Sequence, residues 1–248
     1  MPGDNVLRLY TKSATYYDAI YDVIYDPYSG KDYKSESKRL RQFIRRHKRS
    51  DGKSLLDVAA GTGRHLHYLR AWFDVQGLDI NRRMIATAQE RNPGIEFHLG
   101  VMLTFRLSER FDVVTCLFSA IGYMSTLAKL RRAIRNMGLH LKPGGVLIIE
   151  PWITPRNFKS GTLHAVLVNQ PKLKLARIGK SSSRGRISII DFHYLIATPK
   201  ATRYFRETEK FGLFTHSEYL GAFRAAGLRV AYDRKGLIGR GLYVGVKS

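Results

Sequence analysis

One stretch constrains the fold of this chain more than any other: an apolar strand that leads into a glycine turn and then a helix. Residues 55–65 read Leu-Leu-Asp-Val-Ala-Ala-Gly-Thr-Gly-Arg-His. The glycines permit a tight turn and let a ligand approach the main chain closely. The free N–H groups at the start of the helix favour an anionic group. The stretch therefore predicts the floor of a nucleotide-type pocket.

An acidic residue ends the next predicted strand. Asp79 follows Asp57 by 22 residues, and a carboxylate at this place can accept hydrogen bonds from both hydroxyls of a ribose. A dinucleotide fingerprint requires a third glycine, but Leu66 occupies that position. The combination of Asp57, the Gly-x-Gly turn and Asp79 therefore favours S-adenosylmethionine over NAD or FAD.

Strand and helix patterns alternate around this stretch, which indicates an α/β fold with a largely parallel sheet. The predicted strands are Ser54–Val58, Val75–Leu78, Ile95–His98, Phe111–Leu117, Val146–Glu150, Leu228–Asp233 and Leu242–Val246. The predicted helices are His65–Phe73, Arg82–Arg91, Leu127–Leu141 and Ser217–Ala226, and residues 143–145 (Pro-Gly-Gly) are predicted to form a turn.

Residues 154–215 follow a different pattern, in which short alternating segments are separated by Ser, Gly and Pro turns. Alternation of this kind predicts antiparallel strands. The segments are Leu163–Val168, Leu173–Ile178, Arg186–Leu195, Thr202–Phe205 and Lys210–Phe214. Residues 156–206 contain eleven Lys or Arg and one acid, Asp191.

The N-terminal segment is rich in tyrosine. Tyr17, Tyr21, Tyr25 and Tyr28 fall on one helical face, which indicates either an aromatic lid over a ligand or a face packed on the core. Residues 35–49 form a basic amphipathic pattern that predicts a second helix.

The formal charge of +22 attracts anions such as nucleic acid, acidic membranes or nucleotide-bearing metabolites. The alternative is a solvated basic surface with no specific partner. The sequence contains no apolar run of 18 residues, so no membrane span is expected. The first residues lack a signal-peptide pattern. The single cysteine, Cys116, favours the cytoplasm, and no His, Asp or Glu cluster has metal-site spacing, so no metal is expected.

Motifs along most of the chain resemble those of class I S-adenosylmethionine-dependent methyltransferases. Within that class the chain is most similar to the dTDP-3-amino-sugar N,N-dimethyltransferases of the desosamine and mycaminose type. The matching stretches are Gly30–Tyr33, Leu55–Leu66, Phe111–Cys116, Phe118–Met124, Pro143–Val146, Glu150–Trp152, Leu213–Thr215 and Gly239–Gly245.

The resemblance implies a Rossmann-like, seven-stranded, mostly parallel sheet of order 3-2-1-4-5-7-6, with strand 7 antiparallel and helices on both faces. It implies an N-terminal helical lid over residues 1–50, a cofactor-binding core over 51–153 and 216–248, and an antiparallel β insertion over 154–215 on the substrate and dimer side. It also implies a homodimer. The residues expected to bind S-adenosylmethionine are Tyr33, Asp57, Ala59, Gly61, Gly63, His65, Asp79, Ile80, Met84, Val101, Met102, Leu117 and Phe118.

The acceptor side departs from the family pattern. Tyr123 stands where the family has His, and Val101 stands where it has Asp, which removes an acceptor for the adenine amino group. Tyr123 and Tyr25 are the candidate catalytic residues. The candidate substrate-binding residues are Tyr21, Lys31, Glu150, Trp152 and Arg240.

The resemblance implies N-methylation of a small anionic metabolite, such as a nucleotide-linked amino sugar, by in-line methyl transfer. One alternative is an RNA or protein methyltransferase that uses the basic surface. The Leu-Phe-Ser-Ala sequence at 117–120 disfavours base N-methylation, because RNA enzymes of this fold often carry Asn/Asp-Pro-Pro-Tyr/Phe there. Another alternative is a non-catalytic nucleic-acid-binding module. The intact Asp57, Gly61, Gly63 and Asp79 disfavour that hypothesis.

Overall fold

The computed structural model describes residues 12–24 and 32–248. Its α-helices are α1 Tyr17–Ile24, α2 Tyr33–His47, α3 Arg64–Leu69, α4 Arg82–Arg91, α5 Leu127–Leu139 and α6 His216–Ala225. Its strands are β1 Ser54–Val58, β2 Asp74–Asp79, β3 Glu96–Leu99, β4 Phe111–Cys116, β5 Leu141–Ile149, β6 Leu163–Gln170, β7 Leu173–Arg184, β8 Ile187–Thr198, β9 Ala201–Gly212, β10 Leu228–Asp233 and β11 Leu242–Lys247.

Seven strands form the main sheet in the order β10-β11-β5-β4-β1-β2-β3. The pairs that β1 forms with β2 and with β4 are parallel, whereas β11 runs antiparallel to both β5 and β10. The Rossmann-like fold, the strand order and the single antiparallel strand that the sequence predicts are therefore confirmed. Because β1 and β4 are adjacent and parallel, their carboxyl ends open at the same sheet edge.

Successive side chains of the central strands point to opposite faces of the sheet and form two apolar layers, one on each face. On β1, Leu55 packs with Leu40 and Ile44 of α2, whereas Leu56 packs with Leu130 of α5 and the layer under α6. Each of these side chains is almost completely buried. The helices therefore cover both faces and leave the strand ends as the open edge.

A second sheet of four antiparallel strands, β6-β7-β8-β9, is formed by the predicted insertion. One face of it is apolar, and Ile20 of α1 packs against Phe192, Tyr194 and Phe211 there. Trp152, just after β5, stacks on Phe211 with ring centroids 4.6 Å apart. The second sheet and α1 therefore lie over the carboxyl edge of the main sheet.

Three local predictions are wrong. Leu141 pairs with Phe111, and the register then shifts so that Val146 pairs with Val113, which makes the predicted turn at 143–145 a bulge inside β5. The segments Thr202–Phe205 and Lys210–Phe214 mostly form one strand, β9, because β8 pairs continuously along it. The strand β7 continues to Arg184, well beyond the predicted end at Ile178.

A search of residues 12–24 and 32–248 finds no helix that is long and apolar enough to span a membrane.

Candidate active site

A cavity of about 810 Å³ lies between the carboxyl edge of the main sheet, helix α1 and the second sheet. Most of the predicted site residues line it. These are Tyr21, Tyr33, Asp57, Ala59, Gly61, His65, Asp79, Ile80, Met84, Val101, Met102, Leu117, Phe118, Tyr123, Trp152 and Arg240. The cavity therefore joins the predicted cofactor residues to most of the predicted acceptor residues.

Asp79 forms the floor of the cavity together with the glycine turn. Its two carboxylate oxygens accept hydrogen bonds from the N–H groups of Gly61, at 2.9 Å, and Asn81, at 2.8 Å. Burial raises the pKa of Asp79, and these backbone donors act in the opposite direction. Gly61 has φ 56° and open space where a Cβ would point, so a ligand can approach the backbone there.

Asp57 lies next to the last residue of β1, beside this floor. It is 3% exposed, and the Thr115 hydroxyl of β4 donates to its carboxylate at 2.7 Å. Ala59 follows with φ 63°, a left-handed conformation that is costly for a residue with a Cβ. Its N–H and that of Ala60 both donate to Leu78 O, which ties the turn to β2.

The loop after β4 carries two further left-handed residues, Phe118 at φ 50° and Ser119 at φ 61°. Glu150 holds this conformation, because its carboxylate accepts the Phe118 N–H at 2.7 Å. The Ser119 hydroxyl donates to Pro151 O, also at 2.7 Å. Strained backbone fixed in this way is common at functional sites.

Glu150 itself is fully buried and does not line the cavity. The sequence predicts that it contacts substrate, whereas in the structure it supports the loop that does line the cavity. Gly63 also lies outside the lining, with φ 71° at the start of α3. A Cβ there would lie 2.7 Å from Asn92 Nδ2, so Gly63 permits close packing of α3 against α4. Tyr25 and Lys31 lie outside the described residues.

The wall formed by the segment after β3 is apolar. Met102 is 9% exposed, and the Asn136 side chain donates to its carbonyl oxygen at 3.2 Å. Val101 lines the cavity beside it, without a side-chain acceptor. This wall can take a flat aromatic ring by apolar contact and by main-chain hydrogen bonds.

Arg240 enters the cavity from the loop before β11. Its guanidinium donates to the Ser119 hydroxyl at 2.9 Å. The same group lies 5.1 Å from the ring centroid of Trp152 and 5.9 Å from that of Phe118. Trp152 in turn donates to the Ser188 hydroxyl at 2.9 Å. This places a fixed cation beside the loop after β4.

Two tyrosines flank the same loop. Tyr123 is half-buried, with its ring 4.6 Å from Phe211 of the second sheet. Tyr21 of α1 meets Phe118 edge-on at 5.3 Å. Burial raises the pKa of Tyr21, although Arg177 opposes the shift, so the Tyr21 phenol is neutral near pH 7.

Helix α1 is fastened to the glycine turn by charged groups. Asp18 accepts the Thr62 hydroxyl at 2.8 Å and an Arg91 N–H at 2.5 Å. Arg64 lies 3.4 Å from Asp18 and also pairs with Asp22. On the adjacent side, His65 contacts Glu36 at 2.8 Å and the ring of Tyr33 at 4.9 Å. Helices α1 and α2 and the glycine turn therefore form one connected structure.

The sequence interpretation missed the polar side chains that the second sheet contributes. Arg177, Ser181 and Glu209 all line the cavity, and all are less than one-tenth exposed. Their signal was the period-2 pattern, which puts Arg177 and Ser181 on the buried face of β7 and Glu209 on that of β9. Across residues 12–24 and 32–248, no group of three or more His, Cys, Asp or Glu is placed to hold a metal ion.

Known methyltransferases are similar in sequence to this chain, which supports the interpretation of the cavity as a methyltransferase site. Residues 55–145 match the family model described as "Methyltransferase domain". The chain is 38% identical over 231 residues to dTDP-3-amino-3,4,6-trideoxy-alpha-D-glucopyranose N,N-dimethyltransferase of Streptomyces venezuelae, which covers 92% of this chain and 97% of the relative. It is 40% identical over 229 residues to dTDP-3-amino-3,6-dideoxy-alpha-D-glucopyranose N,N-dimethyltransferase of Streptomyces fradiae, which covers 92% and 89%.

A solved structure of a methyltransferase is similar to this chain over nearly its whole length. The amino pentose methyltransferase from Micromonospora echinaspora involved in calicheamicin biosynthesis, solved with S-adenosylmethionine bound, superposes with a TM-score of 0.82 at 38% identity. The match covers 94% of this chain and 97% of that one. The similarity therefore extends beyond the nucleotide-binding sheet to the second sheet that forms the other wall of the cavity.

Proposed function

Because this chain belongs to the family of S-adenosylmethionine-dependent sugar N-methyltransferases, we propose that it methylates the amino nitrogen of a nucleotide-linked amino sugar, twice in succession. The observation that carries this proposal is the single cavity that joins the Asp79 floor to Tyr123, Trp152 and Arg240. One continuous space can hold donor and acceptor in the alignment that a displacement reaction needs.

S-adenosylmethionine is the cofactor, and the residues of the floor fit it. Asp79 would accept the ribose hydroxyls, and the open side of Gly61 would admit the amino-acid end. Val101 and Met102 would hold the adenine by apolar contact. The remaining predicted cofactor residues that line this part would complete the site: Tyr33, Asp57, Ala59, His65, Ile80, Met84, Leu117 and Phe118. When bound, the cofactor supplies a methyl group on a sulfonium, and transfer of that group to an amine needs the amine in its unprotonated form, with its lone pair free.

The loop after β4 positions the acceptor. Tyr123 and Tyr21 both line the cavity with Phe118, and their hydroxyl groups would orient the lone pair of the amine. Because the phenol of Tyr21 is neutral, it serves as a hydrogen-bonding group rather than as a phenolate base. Arg240 would bind the diphosphate of the acceptor, since a guanidinium matches phosphate oxygens in geometry and charge. Tyr25 and Lys31 remain predictions for the same side.

The proposed division of the chain follows from these roles. In this proposal the described part of the N-terminal segment, residues 12–24 and 32–50, acts as a lid, residues 51–153 and 216–248 bind the cofactor, and residues 154–215 contact the acceptor. The single cysteine, Cys116, is buried and free, which supports a reducing compartment such as the cytoplasm.

We also propose that the protein is a homodimer joined through the outer face of the second sheet. Leu167, Leu195 and Tyr204 lie in one cross-strand row there and are 68%, 53% and 63% exposed. An apolar row of this kind is unfavourable in water and can pair with its own copy across a two-fold axis.

The test is a methyl-transfer assay followed by mass spectrometry. The protein is incubated with S-adenosylmethionine and dTDP-3-amino-3,6-dideoxyglucose, and the nucleotide sugar is followed over time. The expected result is successive gain of one and then two methyl groups. Parallel reactions contain bulk RNA and the dTDP-sugar that carries a hydroxyl in place of the amine. Methylation of RNA without methylation of the amino sugar would contradict the proposal.

A further inference from the structure

The wall that the second sheet contributes to the cavity contains two buried side chains of opposite charge, which lie on the same face but in different cross-strand rows. Arg177 projects from β7 and Glu209 from β9. Ser181, Ile190 and Glu209 form one cross-strand row, so Glu209 faces the same side as Arg177 and Ser181. The two charged side chains are 7% and 8% exposed, and both line the cavity.

Aromatic rings fix the position of Arg177. Its guanidinium lies 4.5 Å from the ring centroid of Phe192 and 5.5 Å from that of Tyr21, and it is hydrogen-bonded to the Tyr21 hydroxyl. Phe192 occupies the space beside Gly179, where a Cβ would lie 2.7 Å from the ring. The guanidinium is therefore held next to the tyrosine that flanks the loop after β4.

Glu209 lies close to the other side of the acceptor region. It is two residues from Phe211 on the same strand and face, a separation of about 7 Å. Phe211 contacts Tyr123. A sugar whose amine lies beside Tyr123 and Phe118 would therefore place a neighbouring ring substituent near Glu209 and Arg177.

The chemistry of the pair favours a neutral ligand group. A guanidinium has five N–H donors and a carboxylate has about four lone-pair positions, so both can bind a ligand in addition to their protein partners. A hydroxyl can donate to the carboxylate and accept from the guanidinium at once. A phosphate would be repelled by the carboxylate, in contrast to the surroundings of Arg240, whose neighbours are a hydroxyl and two aromatic rings.

We infer that Arg177 and Glu209 form a subsite for a sugar hydroxyl adjacent to the methylated amine, so that the acceptor is an amino sugar that retains this hydroxyl. This inference rests on the proposed function. The amine at C3 has a neighbouring hydroxyl at C2 and another at C4. C2 adjoins C1, which carries the diphosphate proposed to lie at Arg240, so the hydroxyl assigned to Arg177 and Glu209 is that of C4. The inference therefore selects a 3-amino-3,6-dideoxyhexose, which keeps the C4 hydroxyl, over its 3-amino-3,4,6-trideoxy analogue, which lacks only that group.

The two dTDP-linked sugars form a matched pair for the test. For the wild-type protein, kcat/KM for the hydroxylated acceptor should exceed that for the deoxy analogue by about 100-fold or more, because the analogue leaves buried polar groups without their ligand. Equal kcat/KM values would overturn this inference and leave the proposed function intact. Methylation of neither sugar would overturn both.

Variants of Arg177 and Glu209 show whether these two residues cause the preference for the hydroxylated acceptor. Glu209→Gln and Arg177→Met should each reduce the preference to less than about tenfold, mainly by slowing the hydroxylated acceptor. Glu207→Gln is the control, because Glu207 lies on the same strand but accepts hydrogen bonds from Ser13 and from the N–H of Lys12. Thermal unfolding identifies misfolded variants. A preference that survives in folded Glu209→Gln and Arg177→Met would overturn the assignment.

Discussion

At Asp79, burial and hydrogen bonding act on one carboxylate in opposite directions. Burial raises its pKa, while the N–H groups of Asn81 and Gly61 favour the charged form. The same hydrogen bonds fix the glycine turn against the end of β2. One side chain therefore shapes the turn and presents oxygens to the cavity.

We predict that Asp79→Ala weakens binding of S-adenosylmethionine by about 100-fold, because it removes charged hydrogen bonds worth about 1.5–3 kcal/mol. Isothermal titration calorimetry measures this. Asp74→Ala is a matched control, since Asp74 begins the same strand, pairs with Lys53 at the surface and is far from the cavity edge. An unchanged affinity in Asp79→Ala would exclude Asp79 from the cofactor site.

Tyr123→Phe tests the acceptor side. Removal of one hydroxyl should lower kcat by about tenfold, the size of one hydrogen bond, and leave cofactor affinity nearly unchanged. The ring stays, so the packing on Phe211 is retained. Steady-state kinetics and calorimetry measure the two quantities. Wild-type turnover in this variant would reduce Tyr123 to a packing role.

Single residues differ in how far the sequence could predict them. Asp79 and Gly61 were predictable because strand, turn and helix follow one another along the chain. Glu150 was assigned to the substrate, yet it supports Phe118, a contact that only the packing of β5 beside β4 creates. Arg177 and Glu209 were missed because their shared face depends on the register of three strands.

Among the elements, helix α1 depends on charges from distant parts of the chain. Asp18 contacts Thr62, Arg64 and Arg91, which come from the glycine turn, α3 and α4. Because α1 also carries Tyr21, its attachment links the cofactor turn to the acceptor region. No local pattern in the sequence reveals these contacts, although the tyrosine spacing predicted the helix itself.

We predict that Asp18→Asn raises both the dissociation constant for S-adenosylmethionine and the KM for the acceptor by about tenfold, through loss of a partly buried charged cluster. Asp22→Asn should have a smaller effect, because the side chain of Asp22 is 47% exposed and that of Asp18 is 20% exposed. If both variants behave like wild type, α1 is not held to the turn by these charges.

Helix α6 begins with a capping box in which Thr215 and Glu218 satisfy each other's backbone N–H groups. Arg186 donates to Glu218 and, with Thr215, lowers the pKa of Glu218 to about 2. Since this value lies below the unfolded pKa of about 4.3, the stabilisation is complete above pH 4.3 and is lost as the pH falls towards 2.

Glu218→Gln should therefore lower the free energy of unfolding by about 1 kcal/mol at pH 7, a figure reduced for the exposed position of Arg186. The difference from wild type should shrink below pH 4. Urea titrations between pH 3 and pH 7 measure it, and Arg186→Met should follow the same trend. A difference that stays constant to pH 3 would rule out the ion pair as its origin.

Other element boundaries were set by pairing rather than by composition. The Pro-Gly-Gly sequence at 143–145 has the composition of a turn, but β4 pairs with Leu141 before it and Val146 after it. Similarly, β8 pairs continuously with β9 across the predicted break. Local propensity could not anticipate either outcome, because each is decided by a neighbouring strand.

At the scale of the whole molecule, the two faces of the second sheet have different consequences. Its inner face packs on Ile20 and closes the cavity, whereas its outer face exposes the row of Leu167, Leu195 and Tyr204. The sequence predicted an antiparallel insertion on the substrate and dimer side. The structure adds which side chains lie on each face.

We predict that Leu195→Glu converts a dimer into a monomer, since it places a charge in the centre of the proposed interface. Sedimentation velocity measures the change. Leu139→Glu is the control, because Leu139 is similarly exposed, at 48%, but lies at the end of α5. A wild-type protein that sediments as a monomer would contradict the proposed dimer.

The central claim is that one cavity holds both the methyl donor and the nucleotide-linked acceptor. A crystal structure with S-adenosylhomocysteine and dTDP tests it directly. We predict that the ribose of the homocysteine derivative contacts Asp79 and that the diphosphate of dTDP contacts Arg240, in one continuous site. The account would be contradicted if dTDP bound outside the space between the two sheets while the acceptor part of the cavity was occupied by other groups.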